Sequence, residues 1–527
     1  TLFLFKWFDK GFTRAYSEAI GPKEEHSSQS NKPCMALEVL LIFLIPAWRR
    51  GVKELWKRKN GYRDVLSISV PLVASMGAIT LMQFTDRIFL ANYSMEAISA
   101  ALPAGIASFS AISFFMGVAN YVNPFVAQYT GANAPARVGA SLWQGIYFSL
   151  MSAALLASLY FVSGPLFRLI GHPPHIQELE VRYFNILTLG AGLVIMGSAM
   201  SCFYTGRGLT WTVMVVNLLG AAVNIPLDYC LINGYGPFPR MGIVGAGIAT
   251  VSAYSTIVAV LAVLIFSKKN RVRFGTWANR SFDKQLFGRL MRYGAPSGVQ
   301  FFLEIFGFTF FIQMLGRLGQ TELAVSNIVL SIESLSFTPM VGFHIGTATL
   351  VGQAIGAGKP EDAVVATTSA LHITLLYMMF LSSIFLFMPE PLLHLFDLGH
   401  GNGGGAEMTH VGVVLLRFVA VFCLFDSLNL VFSGAIKGAG DTKFIMWTIA
   451  LLSPGVMMVP SYLAVEYFHA GLYVMWTILT LYICALGIAF MWRFHQGKWK
   501  KMRVIEDPAD IGQAPWTLAY EASKEPK

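Results

Sequence analysis

The sequence predicts an all-α membrane protein of about twelve transmembrane helices in two pseudo-symmetric six-helix bundles. Three observations carry that expectation. The 527 residues are 55% hydrophobic and only 13% charged, with a mean hydropathy of +0.57, where soluble domains devote about a quarter of their residues to charge. The apolar residues fall in windows long enough to cross a bilayer. Finally, sequence motifs recur in the two halves of the chain, which is the mark of an internally repeated architecture.

Taken in order, residues 1–60 form an extension outside the repeat. Within it MALEVLLIFLIPAW (35–48) is short for a span and precedes a basic stretch, so an interfacial helix is expected. Spans follow at 65–91, 98–126, 138–163, 183–205, 209–232 and 243–267, giving a first bundle over 61–267. A basic linker, 268–286, leads to spans at 287–315, 323–350, 364–388, 411–436, 443–466 and 471–494, a second bundle over 287–496. Pro71, Pro103, Pro124, Pro226 and Pro296 lie inside spans and mark expected bends. Residues 497–527 read as a tail, weakly ordered from 504 onward.

The net charge of +9 is concentrated before the first span, in the central linker and after the last span. With an even number of spans these clusters share one side, and the positive-inside rule makes that side, with both termini, cytoplasmic. The Gly-rich loop 399–410 then faces out. Charge placed this way speaks of membrane orientation and not of nucleic acid. The five cysteines are scattered, without CxxC spacing, so neither a disulfide framework nor a zinc site is expected. Four of them, in apolar segments, read as small hydrophobes.

VAQYTGANAPAR (126–137) aligns without gaps on VGQAIGAGKPED (351–362), and the same spacing brings Pro71 onto Pro296. TGRG (205–208) matches KGAG (437–440) at corresponding span ends. Two halves of six helices then have parallel topology, with a cavity at their interface. Gln128 and Gln353 recur at matching places and are expected to form interhelical hydrogen bonds, not substrate contacts.

Ionisable groups within spans are costly and point to function. Asn224 and Asp228, four residues apart in NIPLDYCLI, share one helical face. By depth they sit with Asp86 and Thr250 in the outer half of the first bundle, a set able to supply an oxygen-lined cation site or a shared proton. The alternative is a group of buried hydrogen bonds holding helices together, with Arg87 or water satisfying Asp86. Glu304 and Asp426 lie near mid-span in the second bundle and could meet there, or make two separate polar contacts.

Taken as a set, VPLVASMGAITLMQFTDRIF, the paired VAQYTGA and VGQAIGA, NIPLDYCLI followed by GIVGAGIAT, GAPSGVQFFLEIFGF and FDSLNLVFSGAIKGAGDTK resemble the multidrug and toxic compound extrusion (MATE) family, in its NorM-like branch. The resemblance covers about residues 60–496. It implies a non-enzymatic antiporter that exports organic, chiefly cationic, compounds by alternating access in exchange for H+ or Na+. It also implies a monomer in the plasma membrane, in contact with lipid and with no cofactor. On this resemblance Asp86, Asn224, Asp228 and Thr250, with the Ala246 carbonyl, match the family's cation or proton site, and Glu304 and Asp426 its acidic pair in the other lobe. The residues themselves bear on two other classes. A lipid or lipid-linked oligosaccharide flippase would want a cationic cavity, which the scarcity of Lys and Arg in the spans disfavours. An integral-membrane transferase would show acidic metal-binding repeats or a catalytic His, and neither is seen.

Overall fold

A computed structural model describes residues 52–394 and 405–506. The expected interfacial helix at 35–48 lies outside these residues, as does most of the Gly-rich loop. Among the described residues there are twelve helices long and apolar enough to cross a membrane, and no strand. They are α1 Tyr62–Tyr93, α2 Met95–Gly131, α3 Pro135–Phe161, α4 Pro174–Thr205, α5 Thr210–Asn233, α6 Ile243–Ile265, α7 Lys284–Leu318, α8 Gln320–Gly356, α9 Pro360–Phe387, α10 Met408–Ala439, α11 Thr442–Glu466 and α12 Leu472–His495. Every expected span has its helix. Most helices are longer than the apolar windows because helical hydrogen bonding continues past the hydrocarbon edge; α8 reaches Gly356, several residues beyond the expected end, whereas α6 stops at Ile265, short of its own.

Four of the five prolines sit inside continuous helices. The fifth breaks one. Pro124 has no N–H to offer the Asn120 carbonyl, and α2 is interrupted at Tyr121. The Cys202 thiol of α4 donates weakly to that carbonyl, Sγ to O 3.6 Å, so this cysteine does more than fill space. A π-helical segment, Ser453–Met458, holds Pro454 within α11.

Packing repeats with the sequence. In the first half α4 is central, touching α2, α3 and α6, while α1 lies against α5; in the second, α10 touches α8, α9 and α12, while α7 lies against α11. The halves meet through α2 against α7 and α8 against α1, contacts that exchange under the internal symmetry. Inside the first half, Asn217 Nδ2 donates to Ser75 Oγ across α5 and α1 at 2.6 Å, both side chains buried. Asn217→Leu, which leaves the hydroxyl without its donor, is expected to lower unfolding free energy in detergent by about 0.6–2 kcal/mol. An unchanged denaturation midpoint would show that the bond contributes nothing.

The repeated motifs explain how the halves are closed. Asn133 and Gly358 occupy matching positions after α2 and α8, and both take left-handed backbone, φ 55° and 71°. The turns are hydrogen-bonded alike, Ala134 N to Tyr129 O and Lys359 N to Ala354 O, each 2.9 Å. One turn earlier in each helix, the Gln crosses to the opposite half. Gln128 Nε2 donates to the Gly438 carbonyl at 2.9 Å, and Gln353 Nε2 to the Gly206 carbonyl at 2.8 Å. Each VxQxxGA motif thus locks onto the other half's TGRG or KGAG turn. Asn123 Nδ2 and Thr349 Oγ1 add a bond at 3.0 Å.

All these ties lie toward the basic connections, as do the remaining hydrogen bonds between the halves among the described residues. There the linker is fastened as well. Trp143 Nε1 donates to Thr276 O at 2.6 Å, Asn279 Nδ2 to Ala136 O at 3.0 Å, and Arg137 pairs with Asp283 at 2.7 Å. Burial raises the Asp283 pKa, but the amides of Leu286 and Gln285 and the Arg137 guanidinium outweigh it and hold the carboxyl below its ordinary value. The chain after α12 also departs from expectation. Far from being loose beyond 503, Val504 and Ile505 are buried in the cluster formed by Tyr121, Phe125, Leu286 and Leu290. Sequence reading takes a short polar tail as solvated because the groups that receive it are distant in the chain.

Candidate functional site

The polar residues of the first half are held between two apolar layers. On one side Met82, Ala78, Ala221 and Ala253 pack together; on the other Leu90, Ile232, Ile243 and Ala246 share a larger cluster. Asp86 lies one turn from both Met82 and Leu90 on α1, and Asp228 one turn before Ile232 on α5. Thr250 lies one turn after Ala246 on α6. The three helices therefore bring these side chains to one level, in low-dielectric surroundings.

The Thr250 hydroxyl reaches both the Asp86 carboxylate, Oγ1 to Oδ2 3.3 Å, and the Ala246 carbonyl, 3.0 Å. A hydroxyl has one proton, so it donates to one of these oxygens at a time. Asn224 and Asp228 are fully buried. Asn224 stands in interaction range of Asp86, although neither its amide nitrogen nor its oxygen makes a hydrogen bond of normal geometry. Both carboxylate oxygens of Asp228 and Oδ1 of Asp86 are likewise buried with no hydrogen-bond partner among the described residues. Tyr183 and Tyr254 lie within electrostatic range of Asp86. Arg87, the partner of Asp86 in the alternative of buried structural hydrogen bonds, is exposed and forms no ion pair with Asp86 among the described residues. Five buried polar atoms without a hydrogen bond of normal geometry are costly as a purely structural device. Such a set can hold a cation through oxygen ligands or share protons between its carboxylates.

In the second half the two acids noted in the sequence approach one another. Glu304 of α7 accepts from Gln300 Nε2, one turn earlier, at 3.2 Å; Asp426 of α10, 5% exposed, accepts from Asn429 Nδ2 at 3.0 Å. The carboxylates are in electrostatic range of each other. Two charged residues join them that sequence reasoning had not placed here. Glu333 of α8 lies within range of Asp426, and Lys437 of α10 within range of Glu304. Glu333 satisfies the same rule that singled out the others, an acid inside an apolar window. Lys437 falls one residue beyond the expected span 411–436, because the last turn of α10 cannot be told from the loop by hydropathy.

The comparisons agree with this architecture. The family model MatE matches residues 71–230 and 296–463, beginning in each half at the prolines that the repeat superposes. The multidrug resistance protein NorM of Burkholderia vietnamiensis is 28% identical over 438 residues, covering 82% of this chain and 93% of that protein. A probable multidrug resistance protein NorM of Thermotoga maritima is 24% identical over 451 residues, covering 84% and 94%. Among solved structures, a multidrug resistance MATE transporter of the MOP superfamily in an outward-facing conformation superposes with a TM-score of 0.74 at 20% identity, covering 86% of this chain and 99% of that one. A MOP superfamily transporter from Pyrococcus furiosus gives 0.73 at 19% identity, covering 88% and 99%. With a family model spanning both halves, full-length curated relatives and the same twelve-helix fold, this chain belongs to the MatE family of multidrug efflux transporters.

Proposed function

We propose that the protein is a secondary antiporter that exports organic cations by alternating access, driven by H+ or Na+ taken up at Asp86, Asn224, Asp228, Thr250 and the Ala246 carbonyl. The observation that carries the reading is the buried, unpartnered Asp228 carboxylate, one helical turn from Asn224, which in turn stands in range of the half-satisfied Asp86. A coupling ion must favour one conformation over the other, or the equilibrium does not move. Neutralising these carboxylates changes the cost of burying them, and so biases how α1, α5 and α6 pack. Glu304, Asp426 and Glu333 supply negative charge in the other half, suited to an organic cation or to a further proton.

The same reading sets the protein in the plasma membrane as a monomer, with the basic connections and both termini cytoplasmic. The seal between the halves then lies at the cytoplasmic end, and the state described here is the outward-facing member of the cycle. In one-for-one exchange with a monovalent organic cation the membrane potential acts on both charges and cancels. Each pH unit, or each tenfold Na+ gradient, then supplies about 1.4 kcal/mol and sustains about a tenfold gradient of the exported cation. Ethidium efflux from proteoliposomes, under separately imposed pH and Na+ gradients, is expected to accelerate with one of them and to stall when that gradient is collapsed. Ethidium movement indifferent to both gradients would sink the antiport.

A further inference from the structure

The segment that follows α12 ties the two halves together in a way that the transport reading leaves unused, and it lies beyond the residues matched by the family model. It leaves the second half through a short 3-10 turn, Lys498–Lys501, anchored by Trp499. That indole is fully buried, stacks on Phe494 with ring centroids 4.8 Å apart, and donates Nε1 to the Phe494 carbonyl at 2.7 Å. From this anchor the chain runs across the seam. The Arg503 carbonyl accepts from Tyr293 Oη of α7 at 3.3 Å, and the Val504 amide donates to Gln128 Oε1 of α2 at 3.0 Å. Gln128 therefore uses both ends of its amide at the seam, one on the KGAG turn and one on this segment. At the end stands Glu506, whose carboxylate is bound by Arg137 of α3, Arg289 of α7 and the Tyr129 hydroxyl of α2.

We propose that residues 498–506 are a strap across the basic-side seal, with the Glu506 carboxylate as the clasp that stabilises the state closed on that side. The anchor belongs to the second half, whereas Gln128, Tyr129 and Arg137 belong to the first. Opening the seal moves α2 and α3 away from α8 and α10, so the strap must either lose its first-half partners or leave its anchor. Anchored in the second half, it makes its first-half contacts only in the closed state, and these bias the equilibrium by whatever they are worth there.

The clasp is not operated by protons in the neutral range. Burial pushes the Glu506 pKa up, but the Arg289 and Tyr129 hydrogen bonds and the Arg137 charge bring it down to about 2. A carboxylate whose folded pKa is depressed contributes above its unfolded value, and that contribution is lost only as pH falls toward about 2. Near neutrality the clasp stays charged.

This inference rests on the alternating-access reading, and amide hydrogen exchange of the full-length protein in lipid nanodiscs separates the two. The informative region is the α1–α8 seam, residues 69–75 and 342–349, which the strap does not touch. Glu506→Gln is expected to speed exchange there at least about threefold. Glu506→Asp restores part of the protection, and Lys500→Gln leaves it unchanged, since Lys500 only pairs with exposed Glu361 at 3.5 Å. Wild-type exchange at the seam that does not respond to added ethidium, H+ or Na+ would count against alternating access. A seam that responds in the wild type yet is the same in Glu506→Gln, or opens equally in Lys500→Gln, overturns the strap.

Discussion

Asp228→Asn is expected to abolish gradient-driven efflux while leaving membrane insertion, yield and monodispersity as in the wild type. Both parts follow from one fact: neither Asp228 oxygen has a hydrogen-bond partner among the described residues. The amide has the same shape, so the α5 packing around it, including Asn224 and Ile232, is retained, and no bond is broken by the exchange. What disappears is the group that can be charged. An amide neither takes up a proton nor offers a full negative charge to Na+, so the ion loses its differential affinity for the two states. The coupling free energy goes with it, about 1.4 kcal/mol for each pH unit or tenfold Na+ gradient. In proteoliposomes under a two-unit pH gradient, or a hundredfold Na+ gradient, the steady ethidium gradient should fall from about a hundredfold to near unity. Asp86→Asn should act in the same direction, with a part of its effect from the weakened Thr250 bond. Asp228→Asn proteoliposomes that extrude ethidium at the wild-type rate under either gradient would remove Asp228 from the mechanism.

Much of this was legible before any coordinates. Span number and order came from hydropathy alone, because a bilayer forces every crossing backbone to satisfy itself as a helix. The meeting of Asp86 with Thr250 could be anticipated from depth, since alternating helix directions convert sequence position into height. Depth does not give azimuth, however. Hydropathy ranks a residue's distaste for water and says nothing of which neighbour its face meets. Glu333 was therefore passed over although it obeys the rule that picked out Glu304. The strap was missed for a related reason: Glu506 looks like any tail glutamate until Arg137, Arg289 and Tyr129 are brought beside it by contacts hundreds of residues away. The repeat itself was visible, but its reciprocal docking was not. Nothing in VAQYTGA or VGQAIGA says that its glutamine will reach the turn of the opposite half.

That docking leaves two glycines with no room for a side chain. At the seam α2 and α8 approach so closely that a Cβ built on Gly131 would lie 2.0 Å from the Gln353 carbonyl oxygen, and one on Gly356 2.0 Å from the Gln128 carbonyl oxygen. Both obstacles are backbone atoms, unable to rotate aside as a side chain would. Neither glycine has left-handed backbone, so an alanine at either place suits its own helix and even favours it, by up to about 1 kcal/mol. Gly356→Ala should accordingly fold and insert. It should fail to close, because separating the helices by the missing ångström or more stretches the Gln128 and Gln353 bonds beyond hydrogen-bonding distance at the same stroke. Losing two buried bonds at about 1 kcal/mol each, together with the packing that fills the seam, shifts the equilibrium at least tenfold away from the basic-side-closed state. Hydrogen exchange at residues 342–349 should rise accordingly, and ethidium transport should fall even with Asp86 and Asp228 intact. Gly131→Ala, its partner under the internal symmetry, should reproduce the defect. If either alanine variant keeps wild-type exchange at the seam and wild-type turnover, the close crossing is not what seals the halves.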